Sequence, residues 1–296
     1  MLLICSLLTG CCNCPKQTTE KINRLNPATL SMPEVVSRIN ANNQRIPSLW
    51  ATLNYSATLH DRGQVHSVSS DDGVLLYQHP SNMRLVGKKE FVGTVFDIGT
   101  NGREYWLEVI PGTNRMWWGT YADLQRLPLA QRQIPIQPQD VLEVLGVEPI
   151  DTNFLQQPVP VMRYDNAADA YVFLFDYAAR DKWLAQKEIW YDRTSLRPRK
   201  VVLYDPDGRP ILQAWLSHDL RIQAPDQQNQ ADWPVMAGDF KLFFPDSGSR
   251  MEFTLKDVRL YKQQGRVRIP NPASFLLPDV HGTDVQAIQI PDRQNL

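Results

Sequence analysis

The stretch Gln186–Leu220 reads QKEIWYDRTSLRPRKVVLYDPDGRPILQAWLSHDL. Three runs in it alternate apolar and polar side chains: Glu188-Ile189-Trp190-Tyr191, Lys200-Val201-Val202-Leu203-Tyr204 and Ile211-Leu212-Gln213-Ala214-Trp215-Leu216. Between them stand Asp192-Arg193-Thr194-Ser195 and Asp205-Pro206-Asp207-Gly208. Both are turn chemistry: Pro pre-sets one turn dihedral, and Gly takes the positive φ that strains other residues. β-branched and aromatic residues at period two, punctuated this closely, predict an antiparallel meander.

The same rhythm extends upstream. Leu49, Ala51, Leu53, Tyr55, Ala57 and Leu59 are apolar at every second position, with Thr52, Asn54, Ser56 and Thr58 between them, which is the pattern of a half-buried strand. Asp61-Arg62-Gly63 turns it back. Further strands are predicted near 64–70, 73–79, 82–87, 91–98, 103–110, 115–120, 159–164 and 170–178, with Asp72-Gly73, Asn101-Gly102 and Pro111-Gly112 as breaks. Downstream, Leu242–Phe244 and Met251–Tyr261 read as the last long strands. The apolar phase slips there from Met251, Phe253 and Leu255 to Val258 and Leu260, which predicts a β-bulge near Lys256. Val285–Ile290 reads as an edge segment.

Two helices interrupt the strands. Ser31-Met32-Pro33-Glu34 is a capping box with an early proline, and Val35, Val36 and Ile39 form one stripe, predicting a helix to about Asn43. Pro138–Leu145, closed by Gly146, reads as a second helix with Val141, Leu142 and Leu145 on one side. Without a fixed repeat or an internal linker after residue 30, the fold class is mainly β with a few helices (α+β).

The four cysteines are Cys5, Cys11, Cys12 and Cys14, so the body of the chain holds no disulfide framework. Leu8-Thr9-Gly10-Cys11 follows the apolar run Leu2–Leu8 and resembles the lipobox of bacterial lipoproteins, with Cys11 as the acylated lipid-anchor residue. A plain signal peptide, or a metal or redox pair Cys11-x-x-Cys14, is the alternative reading. Residues 1–10 contain no Lys or Arg, so the basic segment usual in such signals is missing from them. On the lipobox reading the organisation is 1–10 signal peptide, 11–30 polar tether and 31–296 one β domain.

Chemistry-bearing motifs are scarce. His60, His66, His79, His218 and His281 form no ligand spacing, Ser247-Gly248-Ser249 is not a nucleophile elbow, and no phosphate-binding glycine loop occurs. Asp205-Pro206-Asp207-Gly208 lacks the spacing and distal Glu of a calcium loop. A net charge of -1 gives no electrostatic case for nucleic acid. The expectation is a protein that is not an enzyme, without cofactor or metal.

Several segments together resemble the LolA/LolB-like family of lipoprotein carriers. They are Gly73-Val74-Leu75-Leu76-Tyr77-Gln78-His79-Pro80-Ser81-Asn82-Met83-Arg84-Leu85, the hairpin Asn101-Gly102-Arg103-Glu104-Tyr105-Trp106 with Met116-Trp117-Trp118 behind it, and the ending Pro272-Ala273-Ser274-Phe275-Leu276-Leu277-Pro278 with Gly282 and Val285 beyond. The resemblance implies an unclosed, strongly curved antiparallel half-barrel with short helices over its open side; the strand runs number about eleven to thirteen. It also implies an apolar hollow for acyl chains such as palmitate, a lipid or acylated lipoprotein as partner, and an anchored place in the outer membrane facing the periplasm.

Read from the residues alone, Leu53, Tyr55, Phe96, Tyr105, Leu107, Ile189, Tyr191 and Leu203 form the inward face and are the candidate ligand-binding lining. That face either packs solidly against the helices or leaves a hollow. In the first case the chain is an anchored structural or protein-interaction module with a filled core. Aromatics such as Trp50, Trp106 or Trp118 exposed on the convex face would favour that alternative.

Overall fold

The computed structural model describes residues 29–61, 63–110, 114–126, 136–179, 182–224, 227–260, 270–279 and 286–290. Cys11, the leader, residues 11–28 of the tether, His281, Gly282 and Val285 lie outside them. The first half of the chain forms α1 (Met32–Asn43), β1 (Ser48–Asp61), β2 (Gln64–Gln78), β3 (Asn82–Lys89), β4 (Gly93–Asn101), β5 (Glu104–Val109), β6 (Arg115–Thr120), α2 (Tyr121–Arg126) and α3 (Pro138–Leu145). The second half forms β7 (Val159–Asp165), β8 (Ala170–Ala179), β9 (Lys182–Asp192), β10 (Pro198–Tyr204), β11 (Pro210–Arg221), β12 (Val235–Phe244), β13 (Ser249–Leu260) and β14 (Gln286–Gln289).

The fourteen strands among the described residues belong to one sheet, ordered β14-β6-β5-β4-β3-β2-β1-β13-β12-β11-β10-β9-β8-β7. Every pairing is antiparallel except β14 with β6, which is parallel. The sheet does not close, because β14 and β7 stand at opposite ends of the order. β1 joins two arms: β2–β6 on one side, and β13 back to β7 on the other. This is the expected half-barrel, with more strands than the eleven to thirteen read from the sequence.

The meander is β9, β10 and β11, as predicted. In its second turn the Asp205 carboxylate accepts from the amides of Asp207 and Arg209 at 2.9 Å, and Gly208 takes φ 78°. The bulge near Lys256 is present: Trp50 pairs with Arg259 but Thr52 with Lys256, and Asp257 absorbs the extra residue at φ 47°. Asp72-Gly73 is not a break. β2 runs through it, the surplus appearing as a register shift against β1 between Leu53 and Tyr55. α2 was not read from the sequence, although its start is signalled. The Thr120 hydroxyl donates to the Asp123 carboxylate at 2.8 Å and accepts from the Asp123 amide at 3.1 Å. β12 begins at Val235, not Leu242; Val235-Met236-Ala237-Gly238 is buried on both faces and so shows no alternation.

One apolar core lines the concave side. α1 inserts Val35, Val36 and Ile39 into it. At its start the Glu34 carboxylate accepts from the Ser31 amide and hydroxyl at 2.9 and 2.7 Å. At its end three asparagines bond backbone groups far away in sequence. Asn40 exchanges two 2.8 Å bonds with Ile150, Asn42 does the same with Val235 at 2.8 and 2.9 Å, and Asn43 donates to Glu148. A buried amide that satisfies a backbone donor and acceptor together is expensive to remove. The helix is therefore tied both to β12 and to the segment after α3.

On the convex side the segment Pro272–Phe275 covers β3 and β4. Beneath it Arg84 pairs with Asp97 at 2.5 Å and donates to the Ser274 carbonyl at 3.0 Å, while Trp106 Nε1 donates to Asp97 at 3.0 Å. Gly99 permits this, since a Cβ there would lie 1.9 Å from the Trp106 ring.

Candidate functional site

The register puts all eight predicted lining residues on one face. Leu53 stands opposite Leu255 and Tyr55 opposite Phe253; Leu107 faces Ile98; Ile189 faces Phe173 and Val201; Tyr191 faces Tyr171; Leu203 faces Leu212. All eight are buried. Leu53, Tyr55, Phe96, Tyr105 and Leu107 border neither of the hollows described below. Tyr55 and Phe96 meet edge to face at 4.8 Å, and the Tyr105 hydroxyl donates to the Ile290 carbonyl at 3.2 Å. Ile189, Tyr191 and Leu203 stand at open space.

That space lies along α3. Pro138 opens the helix, and Gly146 ends it in the left-handed conformation (φ 65°). Val141, Leu142, Val144 and Leu145 are buried. The helix packs on β4 and β5 of one arm and reaches β9 of the other. A hollow of about 180 Å³ is lined by Gly146, Glu148, Phe175, Ile189 and Tyr191 among others, and one of about 420 Å³ by Tyr121, Leu124, Tyr177, Leu203 and Ile211 among others. The second spans from α2 beside β6 to β8–β11, across the mouth between the two arms.

The two hollows share the walls Glu143, Gln157, Pro158 and Lys187. Lys187 is the site residue that the sequence reading passed over. It stands in phase with Ile189 and Tyr191 on β9, between Phe175 of β8 and Leu203 of β10, so its side chain occupies an apolar row. Its Nζ lies 5.0 Å from the centre of the Phe175 ring and 2.5 Å from the Glu143 carboxylate of α3. The two side chains are 16% and 19% exposed. An ion pair this enclosed loses hydration and regains it as mutual attraction, so each partner needs the other.

The remaining charge on the described walls of the hollows is negative. Burial first, and the neighbouring Glu143 second, push the Asp140 carboxyl up to about 7. Burial and then Glu143 push Glu148 up to about 7 as well, against the opposing pull of Lys187. Burial also raises the Tyr191 hydroxyl. Among the described residues no cluster of three or more His, Cys, Asp or Glu could hold a metal ion. The arrangement offers apolar area and charge.

Two surface features complete the picture. The β3–β4 hairpin carries Phe91 at its tip, 99% exposed and next to the exposed Val92. On the convex face, Trp215 is 45% exposed beside Lys200 and Lys241, and Trp190 lies under Arg163 and Lys200 at 5.3 Å each. Trp106, offered from the sequence as a candidate convex aromatic, is instead buried against Asp97.

No family model matches the chain, and no curated protein matches it. Solved structures do. A DUF1329 family protein from Desulfovibrio piger is similar at 9% identity and a TM-score of 0.49, over 82% of this chain and 97% of that one. An outer membrane lipoprotein-sorting protein domain from Vibrio parahaemolyticus is similar at 14% identity and a TM-score of 0.44, over 82% and 95% of the two chains. A LolA superfamily protein from Nitrosomonas europaea, bearing the family name that the sequence motifs resemble, is similar at 12% identity and a TM-score of 0.46, over 84% of this chain and 98% of that one.

Proposed function

We propose that this chain is an envelope lipoprotein, held to the outer membrane through acylated Cys11, whose half-barrel takes up an acyl chain of a lipid or lipoprotein without covalent chemistry. One observation carries the reading: the apolar concave face is covered by short helices and stands open along α3, where Phe175, Ile189, Tyr191 and Leu203 border hollows of about 180 and 420 Å³. The larger lies within the range of about 300–1,000 Å³ usual for small-molecule sites. An acyl chain needs area more than hydrogen bonds, at roughly 0.8 kcal/mol per buried methylene. α3 has eight residues, too few to be a stable helix by itself, so packing and the Lys187 pair set its position. An entering chain takes the place of those contacts beneath it.

The test is lipid analysis of the full chain isolated from envelopes without detergent. Acyl species in stoichiometric amount are expected, and a lipid-free protein that also fails to bind added acyl ligands refutes the proposal. Cys11→Ser is expected to release the chain from the membrane fraction and remove the acyl mass; an unchanged membrane fraction refutes the anchor. A second reading, an anchored protein-interaction module, is favoured by the half-exposed Trp215 between Lys200 and Lys241. Under it the chain takes up no acyl ligand, and Trp215→Ala abolishes capture of a protein partner.

A further inference from the structure

We infer that the hollow beside α3 discriminates by charge, accepting acyl chains joined to a neutral or cationic head and rejecting anionic ones such as free fatty acids. The inference rests on the acyl-binding reading and adds the ligand's head group to it. Among the described residues around the two hollows stand five carboxylates, Asp140, Glu143, Glu148, Asp151 and Asp205, and one cation, Lys187. Glu143 is taken by Lys187, and Asp205 by Arg209 at 2.7 Å. Asp140, Glu148 and Asp151 have no ion-pair partner among the described residues.

A fatty carboxylate entering this space finds Lys187, the one cation among the described lining residues, occupied. Pairing with Lys187 would evict Glu143 and leave that carboxylate facing Glu148 and Asp140 in the same enclosed site, so the exchange gains no attraction and adds repulsion. An ammonium head meets unpartnered carboxylates, and an uncharged head meets neither effect. The apolar floor of Phe175, Ile189, Tyr191, Leu203 and Ile211 serves all three alike. Selectivity then lies in the rim, and affinity in the chain.

The experiment holds the alkyl chain constant and varies the head. The full chain carrying Cys11→Ser is titrated at pH 8 with dodecyltrimethylammonium, dodecyl maltoside and dodecanoate below their micelle concentrations. Saturable binding is expected in that order of affinity, with the ammonium favoured over the carboxylate by about tenfold or more. The isosteric pair Asp140→Asn/Glu148→Gln, which removes two half-buried charges without loss of volume, is expected to flatten the series, and Glu148→Lys to invert it. Dodecanoate binding as tightly as the ammonium, or a series indifferent to both variants, overturns the inference while acyl uptake stands. Failure of the neutral maltoside to bind overturns acyl uptake itself, and the selectivity with it.

Discussion

Replacing Lys187 by Met removes the cation at the divide between the two hollows while keeping an unbranched side chain in phase with Ile189 and Tyr191. At a separation of 2.5 Å and an effective dielectric of about 20, the lost attraction to Glu143 is roughly 7 kcal/mol gross. Desolvation of two side chains each less than one-fifth exposed offsets part of that. Breaking one side of such a pair costs about 3–5 kcal/mol, whereas replacing both partners by groups of like volume is close to neutral. Lys187→Met is therefore expected to lose about 3 kcal/mol at pH 8, and Lys187→Met/Glu143→Gln to return to within about 1 kcal/mol of the parent.

The pH dependence gives a second handle. Lys187 lowers the Glu148 carboxyl, which burial and Glu143 nevertheless hold at about 7 against an ordinary 4.5. Without the lysine, Glu148 rises further. A carboxylate whose folded pKa lies above its unfolded one destabilises the fold fully when the pH exceeds the folded value, and the penalty fades as pH falls toward the unfolded value. The loss in Lys187→Met should thus shrink between pH 8 and pH 5. Urea unfolding followed by tryptophan fluorescence, with m-values compared, measures all of this. A Lys187→Met loss below about 0.5 kcal/mol at pH 8, a double variant as poor as the sum of its singles, or a loss equal at both pH values would refute the reasoning.

In the parent protein the same sign makes stability rise as pH drops from 8 to 6, because Asp140 and Glu148, both raised to about 7, regain protons that the unfolded chain does not bind there. The gain is on the order of 1 kcal/mol per carboxylate over that interval, read from urea midpoints. Gly99→Ala would set a methyl 1.9 Å from the Trp106 ring. It is expected to lose about 1–3 kcal/mol and to alter the near-ultraviolet tryptophan signal, since Trp106 and the Arg84–Asp97 pair must shift together. Phe91→Ser, at a fully exposed hairpin tip, should leave stability within about 0.5 kcal/mol and reduce association of the Cys11→Ser chain with phospholipid vesicles, measured by flotation.

The parts of this fold that were legible in the sequence are those with a local cause. Alternation gave the meander and β1; Ser31 with Glu34 gave the start of α1; Gly146 gave the end of α3; a slipped phase gave the bulge at Asp257. Asp72-Gly73 misled because a bulge and a turn use the same residues, and which one forms depends on the partner strand. The site was less legible. That Ile189, Tyr191 and Leu203 face inward follows from period two, but that they border the two hollows while Leu53 and Leu107 border neither depends on where α3 lies. Its position is set by Asn40 bonding Ile150 across 110 residues and by Glu143 reaching Lys187 across 44, pairings without any local trace.

Lys187 itself did leave a trace, a lysine at an apolar phase position, and its placement bears on how α3 is held. Another leucine at that point would join α3 to the sheet by apolar contact, which is lost in proportion to the area uncovered when the helix lifts. A lysine paired with glutamate behaves differently. Separated and exposed, both groups recover their hydration, so the pair opposes small displacements yet adds little to the free energy of full opening. The apolar stripe Val141, Leu142, Val144 and Leu145 then remains the main contact to be replaced, and an acyl chain is the kind of ligand that replaces apolar contact with apolar contact. On the acyl-binding reading, the charged divide between the hollows is thus the feature that keeps α3 seated when the cup is empty and lets it move when the cup is filled.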